Sequence, residues 1–166
     1  MRIIFLSLLG LIIFYIFILF LKNWGFGFSY QESTSMTPGW YVTYPIFLKN
    51  NISRNNIILF KPDKNTENYM LSRSWILPGS PMMKYLKGLP GDFVCIRNTE
   101  IFINHKKIGD IQKLDSQNRP LPRLTFCQTL VHNQFFMMST RVPNSFDSRY
   151  FGPIMREQMI SKAIKL

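Results

Sequence analysis

The feature that most constrains this chain is an uncharged apolar stretch close to its N-terminus. Residues 3–21, IIFLSLLGLIIFYIFILFL, hold nineteen residues without a charge, and Arg2 and Lys22 flank them. At about 1.5 Å per residue, a helix of this length nearly spans a hydrocarbon core of about 30 Å. We therefore predict a single membrane-spanning helix, followed by one soluble domain of roughly 140 residues.

A cleavable signal peptide is the alternative interpretation of the same stretch. The apolar region of such a peptide usually runs for about 7 to 15 residues and ends at small residues. Here the apolar region is longer, and Trp24, Phe26 and Phe28 follow it, as is typical of a membrane interface. We expect a retained membrane anchor over residues 1–24 and a separate domain over residues 25–166.

The charge balance indicates an anionic partner. The chain has 20 Lys and Arg against 9 Asp and Glu, and the positive residues are spread along the soluble part. Chains of this kind meet either nucleic acid or anionic lipid. A tethered domain lies against phospholipid headgroups, where each Lys or Arg near the surface contributes about 1 kcal/mol. We therefore expect membrane phospholipid, and not nucleic acid, as a partner.

The soluble part is predicted to be mainly β. The runs NNIILF, DFVCIR, EIFIN and QFFMM alternate with turn residues, and no 3.6-residue period is sustained. We predict a polar linker over residues 25–37, a first strand at Gly39–Pro45, and a hairpin that turns at Asn104 and His105.

Turn-forming residues also mark the connections between these strands. We predict loops over three stretches, residues 61–68, 115–122 and 141–145. Residues 156–166 are ambiguous between helix and strand.

The first segment suited to chemistry is residues 32–41, E-S-T-S-M-T-P-G-W-Y. A serine in a polar linker is ordinarily a solvated serine. Ser35 becomes a candidate nucleophile only if a base lies beside it.

The second segment, residues 82–92, places a lysine inside an apolar strand pattern. In M-M-K-Y-L-K-G-L-P-G-D, two methionines, a tyrosine and a leucine surround Lys84. Burial lowers a lysine pKa, as a lysine general base requires. Moving the pKa from about 10.4 to near 7 costs about 4 to 5 kcal/mol, which the fold must supply. Lys87 falls on the opposite face of the strand, so Lys84 is the candidate base.

The third segment, residues 143–153, is P-N-S-F-D-S-R-Y-F-G-P and is dense in hydrogen-bonding side chains. An ordinary polar loop with an Asp147/Arg149 ion pair is one interpretation. The other is a group of supporting residues, with Ser145 beside the lysine amine and the ion pair fixing the loop.

The two cysteines, Cys95 and Cys127, do not form a metal-binding pattern. The sequence has no C-x-x-C and no Cys/His cluster, so we predict no metal site, and no cofactor is implied. A disulfide and two independent buried thiols both remain open on spacing alone.

Taken in order, S-x-S-M-x-P-G, K-x-x-K-G-L-P-G-D and N-S-x-D-S-R-Y-F-G-P resemble the three boxes of the type I signal peptidases. The resemblance implies a mainly β fold of the signal-peptidase and LexA-like kind, preceded by a single transmembrane helix. It also implies a serine endopeptidase with its catalytic domain on the periplasmic side of a bacterial inner membrane. Its substrates would be exported preproteins.

The resemblance also implies roles for individual residues. Ser35, directly before the box methionine, matches the nucleophile, and Lys84 matches its general base. Ser33 matches the serine whose hydroxyl helps to form the oxyanion hole. In the last box, Ser145 matches the lysine-contacting serine, and Asp147 and Arg149 match the supporting acid and arginine.

In several places the sequence departs from the usual signal-peptidase pattern. At these places it resembles the TraF-type peptidases of conjugative transfer systems. The serine box reads S-M-T-P-G-W-Y where M-x-P-T is usual, and residues 139–143 stand where G-D-N-R-D normally precedes the last box. This resemblance favours a Cys95/Cys127 disulfide and a pilin precursor as substrate. The same resemblance implies conjugative pilus assembly proteins as further partners.

The same residues allow three rival interpretations. His132 and Asp147 could belong to a histidine-based triad, but neither His132 nor His105 lies in a recognisable catalytic segment. Autoproteolytic repressors resembling LexA share the chemistry but need a DNA-binding domain where this chain has the apolar stretch. A non-catalytic, membrane-tethered assembly factor of a conjugative (type IV secretion) system is the non-enzymatic alternative.

Overall fold

The computed structural model of the chain describes residues 2–24, 26–46 and 52–166. Met1 and Gly25, the first residues of the two predicted domains, lie outside the described residues. The first element is the predicted apolar helix, α1, which runs from Arg2 to Asn23. It is long and apolar enough to cross a membrane, and none of the span Leu6–Asn23 is buried against the rest of the chain.

The remainder is mainly β, as predicted. Within the described residues, seven strands form the larger sheet, in the order β1-β2-β11-β3-β4-β9-β10. Their bounds are β1 Gly27–Gln31, β2 Gly39–Pro45, β3 Ile57–Phe60, β4 Met82–Gly88, β9 Gln134–Met137, β10 Ile154–Met155 and β11 Met159–Lys165. All the pairings recorded in this sheet are antiparallel.

A smaller sheet holds the two cysteines. Over the described residues it has four strands in the order β7-β6-β5-β8, namely β5 Phe93–Arg97, β6 Glu100–Ile103, β7 Lys106–Asp110 and β8 Phe126–Thr129. Cys95 and Cys127 are directly paired across β5 and β8 and are joined by a disulfide. The disulfide therefore links two neighbouring strands of the smaller sheet.

Two predictions about local structure were wrong. Residues 25–37 are not a linker throughout, because Gly27–Gln31 forms β1, which pairs with β2 over its whole length. Residues 61–68 are not all loop, because α2 runs over Lys64–Ser72. Its N-cap is Asp63, whose carboxylate accepts hydrogen bonds from the backbone N–H groups of Asn65 and Thr66.

Other predicted elements are confirmed. The strand Gly39–Pro45 has the predicted bounds. The β6–β7 hairpin turns at Asn104 and His105, whose φ angles of 49° and 67° are the left-handed values that a tight hairpin turn needs. The ambiguous C-terminal segment is a 3-10 turn, Arg156–Gln158, followed by β11.

Buried apolar side chains hold the sheets together and fix the strands that carry the chemistry. The largest cluster lies around β3, β4, β9 and α2, and its members include Ile58, Phe60, Met70, Met82, Leu86 and Met137. A second cluster packs residues of the smaller sheet against Phe136 of β9 and Met138, which follows β9. A third joins Met36, Tyr41, Met83 and Ala163, and it lies where the sequence predicts catalytic residues.

Candidate active site

The serine segment forms a tight connection between β1 and β2, residues 32–38, called here the serine loop. Its Met36 is fully buried and packs with Tyr41 and Met83. The Tyr41 hydroxyl donates a hydrogen bond of 2.6 Å to the backbone carbonyl of Thr37. The loop is thus anchored to the sheet directly after Ser35, whose exposed fraction is 9 %.

Lys84 lies opposite this loop on β4, where it pairs with Ile58 of β3. Its Nζ is 2.6 Å from Oγ of Ser35, across 49 residues of sequence. Met36 and Met83, the chain neighbours of these two residues, share one buried cluster. Packing of the two methionines therefore holds the serine hydroxyl and the lysine amine together.

Burial changes the acid–base behaviour of Lys84. Its exposed fraction is 6 %, and loss of solvation lowers the pKa of the amine from its ordinary value to about 8. The negative charge of Asp147 raises this pKa and the positive charge of Arg149 lowers it, both less than burial does. For a general base at this position, a pKa near 7 is expected from the sequence. At about 8, roughly a tenth of the amine is neutral at pH 7, which suffices for a general base.

Ser33 completes a short chain of hydroxyl groups. Its Oγ lies 2.9 Å from Oγ of Ser35, and the side-chain amide of Gln31 donates a hydrogen bond of 2.6 Å to the same Ser33 oxygen. Because this oxygen already accepts from Gln31, its own proton can point towards Ser35 or towards an oxyanion formed beside it. Gln31, the last residue of β1, was not anticipated from the sequence.

Asp147 and Arg149 form a buried, doubly hydrogen-bonded ion pair. Arg149 donates from Nε to Oδ1 and from Nη2 to Oδ2, each at 2.8 Å. Asp147 is fully buried and Arg149 is 2 % exposed. Arg149 also donates to the backbone carbonyls of Asp110, Pro143 and Ser139. The pair therefore ties the third segment to the end of β9.

Ser139 is a site residue that was not predicted from the sequence. It is fully buried and follows β9, and its Oγ donates a hydrogen bond to the backbone carbonyl of Ser35. The only available signal was the departure at residues 139–143 from the usual family pattern. Its partner lies 104 residues away in the sequence, and such a contact cannot be read from local spacing.

Ser145 lies near the candidate dyad but makes no hydrogen bond to it among the described residues. It is 2 % exposed and lines the same cavity as Ser35 and Lys84. Among the described residues, its Oγ has no hydrogen-bond partner, so the expected bond to the Lys84 amine is not formed.

The histidine-based alternative is not supported by the geometry. His132 is exposed in the turn before β9. The Asp147 carboxylate instead accepts hydrogen bonds from Arg149 and from the backbone N–H of Ser139. His105 stacks on Phe93 in the smaller sheet, with ring centroids 5.5 Å apart.

A cavity of about 890 Å³ opens in front of Ser35 and Lys84. One wall includes the end of β1 and the serine loop, and another includes the segment before β4 and the start of β4. In the larger sheet β1 is at the edge, and β4 pairs with β9 at Leu86 and Gly88, beyond the lysine. Two strand edges thus border the cavity, and strand edges bind extended peptides through main-chain hydrogen bonds.

The family model described as signal peptidase, peptidase S26, matches residues 3–165. Two curated proteins, both named plasmid transfer protein TraF and both from Escherichia coli, also match. The first is 36 % identical over 83 residues, 48 % of this chain and 47 % of that protein. The second is 35 % identical over 81 residues, 47 % of this chain and 46 % of that protein. The chain therefore spans about half the length of the curated relatives it matches.

Among solved structures, a signal peptidase I from Enterococcus faecalis matches with a TM-score of 0.40 and 22 % sequence identity. The match covers 68 % of this chain and 96 % of that one.

Proposed function

This chain belongs to the signal peptidase family S26, and we propose that it is a membrane-anchored serine endopeptidase whose catalytic dyad is Ser35 and Lys84. The observation that carries the proposal is the distance of 2.6 Å between Lys84 Nζ and Ser35 Oγ at the wall of a cavity bordered by strand edges. A buried lysine with its pKa lowered to about 8 can accept the proton of a serine hydroxyl.

In the first half of the reaction, neutral Lys84 accepts the Ser35 proton while Oγ bonds to the scissile carbonyl carbon. The carbonyl oxygen becomes an oxyanion, stabilised by the backbone N–H of Ser35 and the hydroxyl of Ser33. The carbon–nitrogen bond then breaks, and Lys84 gives its proton to the leaving amine. The product is an ester between the substrate and Ser35.

In the second half, water loses a proton to Lys84 and attacks the ester carbon. The Ser35 oxygen leaves and recovers the proton from Lys84, so the enzyme is restored. If an amine of the substrate attacks in place of water, the same steps give a cyclic peptide product.

The substrate is an exported precursor that binds in an extended conformation. The edges of β1 and β4 beside the cavity suit main-chain pairing with such a peptide. The identity of about 36 % to a plasmid transfer protein supports a conjugative context. A pilin precursor is the specific substrate that we propose, and pilus assembly proteins are the proposed partners.

The proposed arrangement places residues 1–24 in the membrane and residues 25–166 outside the cytoplasm. The outward face of β1, β2 and β11 supports contact with phospholipid, because β1 begins four residues after α1 ends. The exposed apolar side chains on this face are Phe28, Tyr30, Trp40 and Ile164. Aromatic side chains of this kind are favoured at the boundary between headgroups and acyl chains.

The orientation can be tested in bacterial cells that express the full chain with a C-terminal tag. Protease added to spheroplasts should digest the domain after α1 and remove the tag, while a cytoplasmic marker stays intact. A tag that is protected until the membrane is permeabilised would place the domain on the cytoplasmic side.

The function is tested by incubating the detergent-solubilised chain with a pilin precursor and with a general preprotein, and reading the products by mass spectrometry. We expect the wild type to cut the pilin precursor at one bond and Ser35→Ala to leave it uncut. Preference for the general preprotein would contradict the pilin assignment. A folded wild type that cuts neither would favour the non-catalytic assembly factor.

Replacing Ser33 tests the proposed oxyanion donor. Because the hydroxyl stabilises charge that develops only in the transition state, Ser33→Ala should lower kcat by about 10²- to 10³-fold with little change in KM. The thermal midpoint should stay close to that of the wild type, since Ser33 is exposed. A variant with unchanged kcat would remove Ser33 from the mechanism.

A further inference from the structure

We propose that Ser139 and Arg141 form a clamp that fixes the two peptide groups on either side of Ser35 and thereby sets the direction of its backbone N–H. Both are positioning residues, and the inference rests on the proposed function. Arg141 Nε donates a hydrogen bond of 3.1 Å to the backbone carbonyl of Thr34. Ser139 Oγ donates to the next carbonyl, that of Ser35 itself. Residues 139–141 therefore hold both peptide planes that flank the nucleophile.

The Arg141 contact bears directly on the proposed oxyanion donor. The carbonyl of Thr34 and the N–H of Ser35 belong to one peptide group. The described peptide bonds include no cis bond, so the two groups point in opposite directions. Holding the Thr34 carbonyl towards Arg141 thus turns the Ser35 N–H away from Arg141. A carbonyl that accepts a hydrogen bond also polarises its own peptide group, which strengthens the N–H as a donor.

Three further hydrogen bonds fix the position of Ser139. The backbone N–H of Arg141 donates to Ser139 Oγ at 3.2 Å, which leaves the hydroxyl proton directed at Ser35. The N–H of Ser139 donates to Asp147 Oδ2 at 2.9 Å. The carbonyl of Ser139 accepts from Arg149 Nη2 at 3.1 Å. The ion pair is therefore connected to the nucleophile through Ser139.

The clamp predicts a specific kinetic signature. If it only orients a donor that acts in the transition state, Ser139→Ala should lower kcat and leave KM nearly unchanged. A small displacement of a reacting group can cost about 10²-fold in rate, and we expect a fall of roughly 10- to 100-fold. Arg141→Met, which keeps the aliphatic part of the side chain but removes the donor, should also lower kcat without changing KM.

Two serines serve as matched controls. Ser148 is fully buried near the same ion pair, and its Oγ accepts from the backbone N–H of Met137, away from the serine loop. Ser161 is fully buried, and within the described part of the chain its hydroxyl has no hydrogen-bond partner. Ser148→Ala and Ser161→Ala should each keep kcat within about three-fold of the wild type, whatever they do to the thermal midpoint.

The experiment compares wild type, Ser35→Ala, Ser139→Ala, Arg141→Met, Ser148→Ala and Ser161→Ala as full chains in detergent. It records kcat and KM on the precursor and hydrogen exchange of the amides of the serine loop by mass spectrometry. We expect faster exchange and a lower kcat in Ser139→Ala, and neither change in the two controls.

Unchanged exchange of the serine loop in Ser139→Ala would overturn the clamp, whether or not the enzyme is active. An equal fall of kcat in Ser148→Ala would also overturn it, because a general loss of packing would then explain both variants. If the wild type cuts no precursor but Ser139→Ala still speeds exchange, the clamp stands and the proposed function fails.

Discussion

Replacing Lys84 with Met is expected to lower kcat by about 10⁴-fold while the domain stays folded. The change removes the only amine within hydrogen-bonding distance of Ser35 Oγ among the described contacts. Without a base, the hydroxyl keeps its proton at neutral pH and is a poor nucleophile.

The fold should tolerate this change because Met matches the aliphatic part of the lysine side chain. Lys84 lies among apolar neighbours on β4, where solvation of its amine is lost. Removing a group whose charged form is disfavoured by burial should leave the thermal midpoint equal to or above that of the wild type.

Lys87→Met is the matched control on the same strand. Lys87 is partly exposed, and its Nζ donates to the Asn55 side chain at 2.8 Å. This variant should keep kcat within about two-fold, as is usual for a surface contact remote from the chemistry. A Lys84→Met enzyme that retains a tenth or more of the wild-type kcat would exclude Lys84 as the base.

The largest effect on stability is expected for Asp147→Ala. The change leaves the guanidinium of Arg149, 2 % exposed, without its carboxylate partner. Breaking a buried pair by removing one partner typically costs about 3 to 5 kcal/mol, because an uncompensated charge stays buried. Urea unfolding of the full chain in detergent, followed by tryptophan fluorescence, measures this loss.

Glu100→Ala provides the comparison for an exposed pair. Glu100 contacts Lys107 at 2.7 Å, with side chains 41 % and 46 % exposed, and such pairs contribute about 0 to 1 kcal/mol. Combining Asp147→Ala with Arg149→Met should recover part of the lost stability, since the buried charge is gone. If Asp147→Ala and Glu100→Ala cost the same, the ion pair does not stabilise the fold.

The sequence predicted those parts of the fold that depend on local pattern. The apolar helix, the strand Gly39–Pro45 and the hairpin at Asn104 and His105 follow from continuous hydrophobicity, alternation and turn chemistry. The family was also predicted correctly, because three ordered boxes are far more specific than any one of them.

The elements that were missed depend on partners elsewhere in the chain. The strand β1, with sequence GFSYQ, contains no β-branched residue and is stabilised by its pairing with β2. For α2 the sequence does carry a local signal, since Asp63 is a good N-cap and Glu67 lies in the first turn.

The site residues likewise divide into those that local sequence predicts and those that depend on distant partners. Ser35 and Lys84 could be chosen from their boxes, but neither Gln31 nor Ser139 could, because their roles are hydrogen bonds that appear only after folding. Ser145 is the reverse case, a residue that the sequence predicted but whose expected hydrogen bond is not formed. Its box placed it beside the lysine, whereas its hydroxyl has no hydrogen-bond partner among the described residues.

Activation of Ser35 by a neutral lysine can be tested through the pH dependence of kcat/KM for the wild-type chain between pH 6 and 10. Burial lowers the pKa of Lys84 to about 8, and the neutral amine is the active form, so kcat/KM should rise with pH and level off above about 8. A profile that does not change over this range, or one that levels off near pH 6.5 as for a histidine base, would show that Lys84 is not the base.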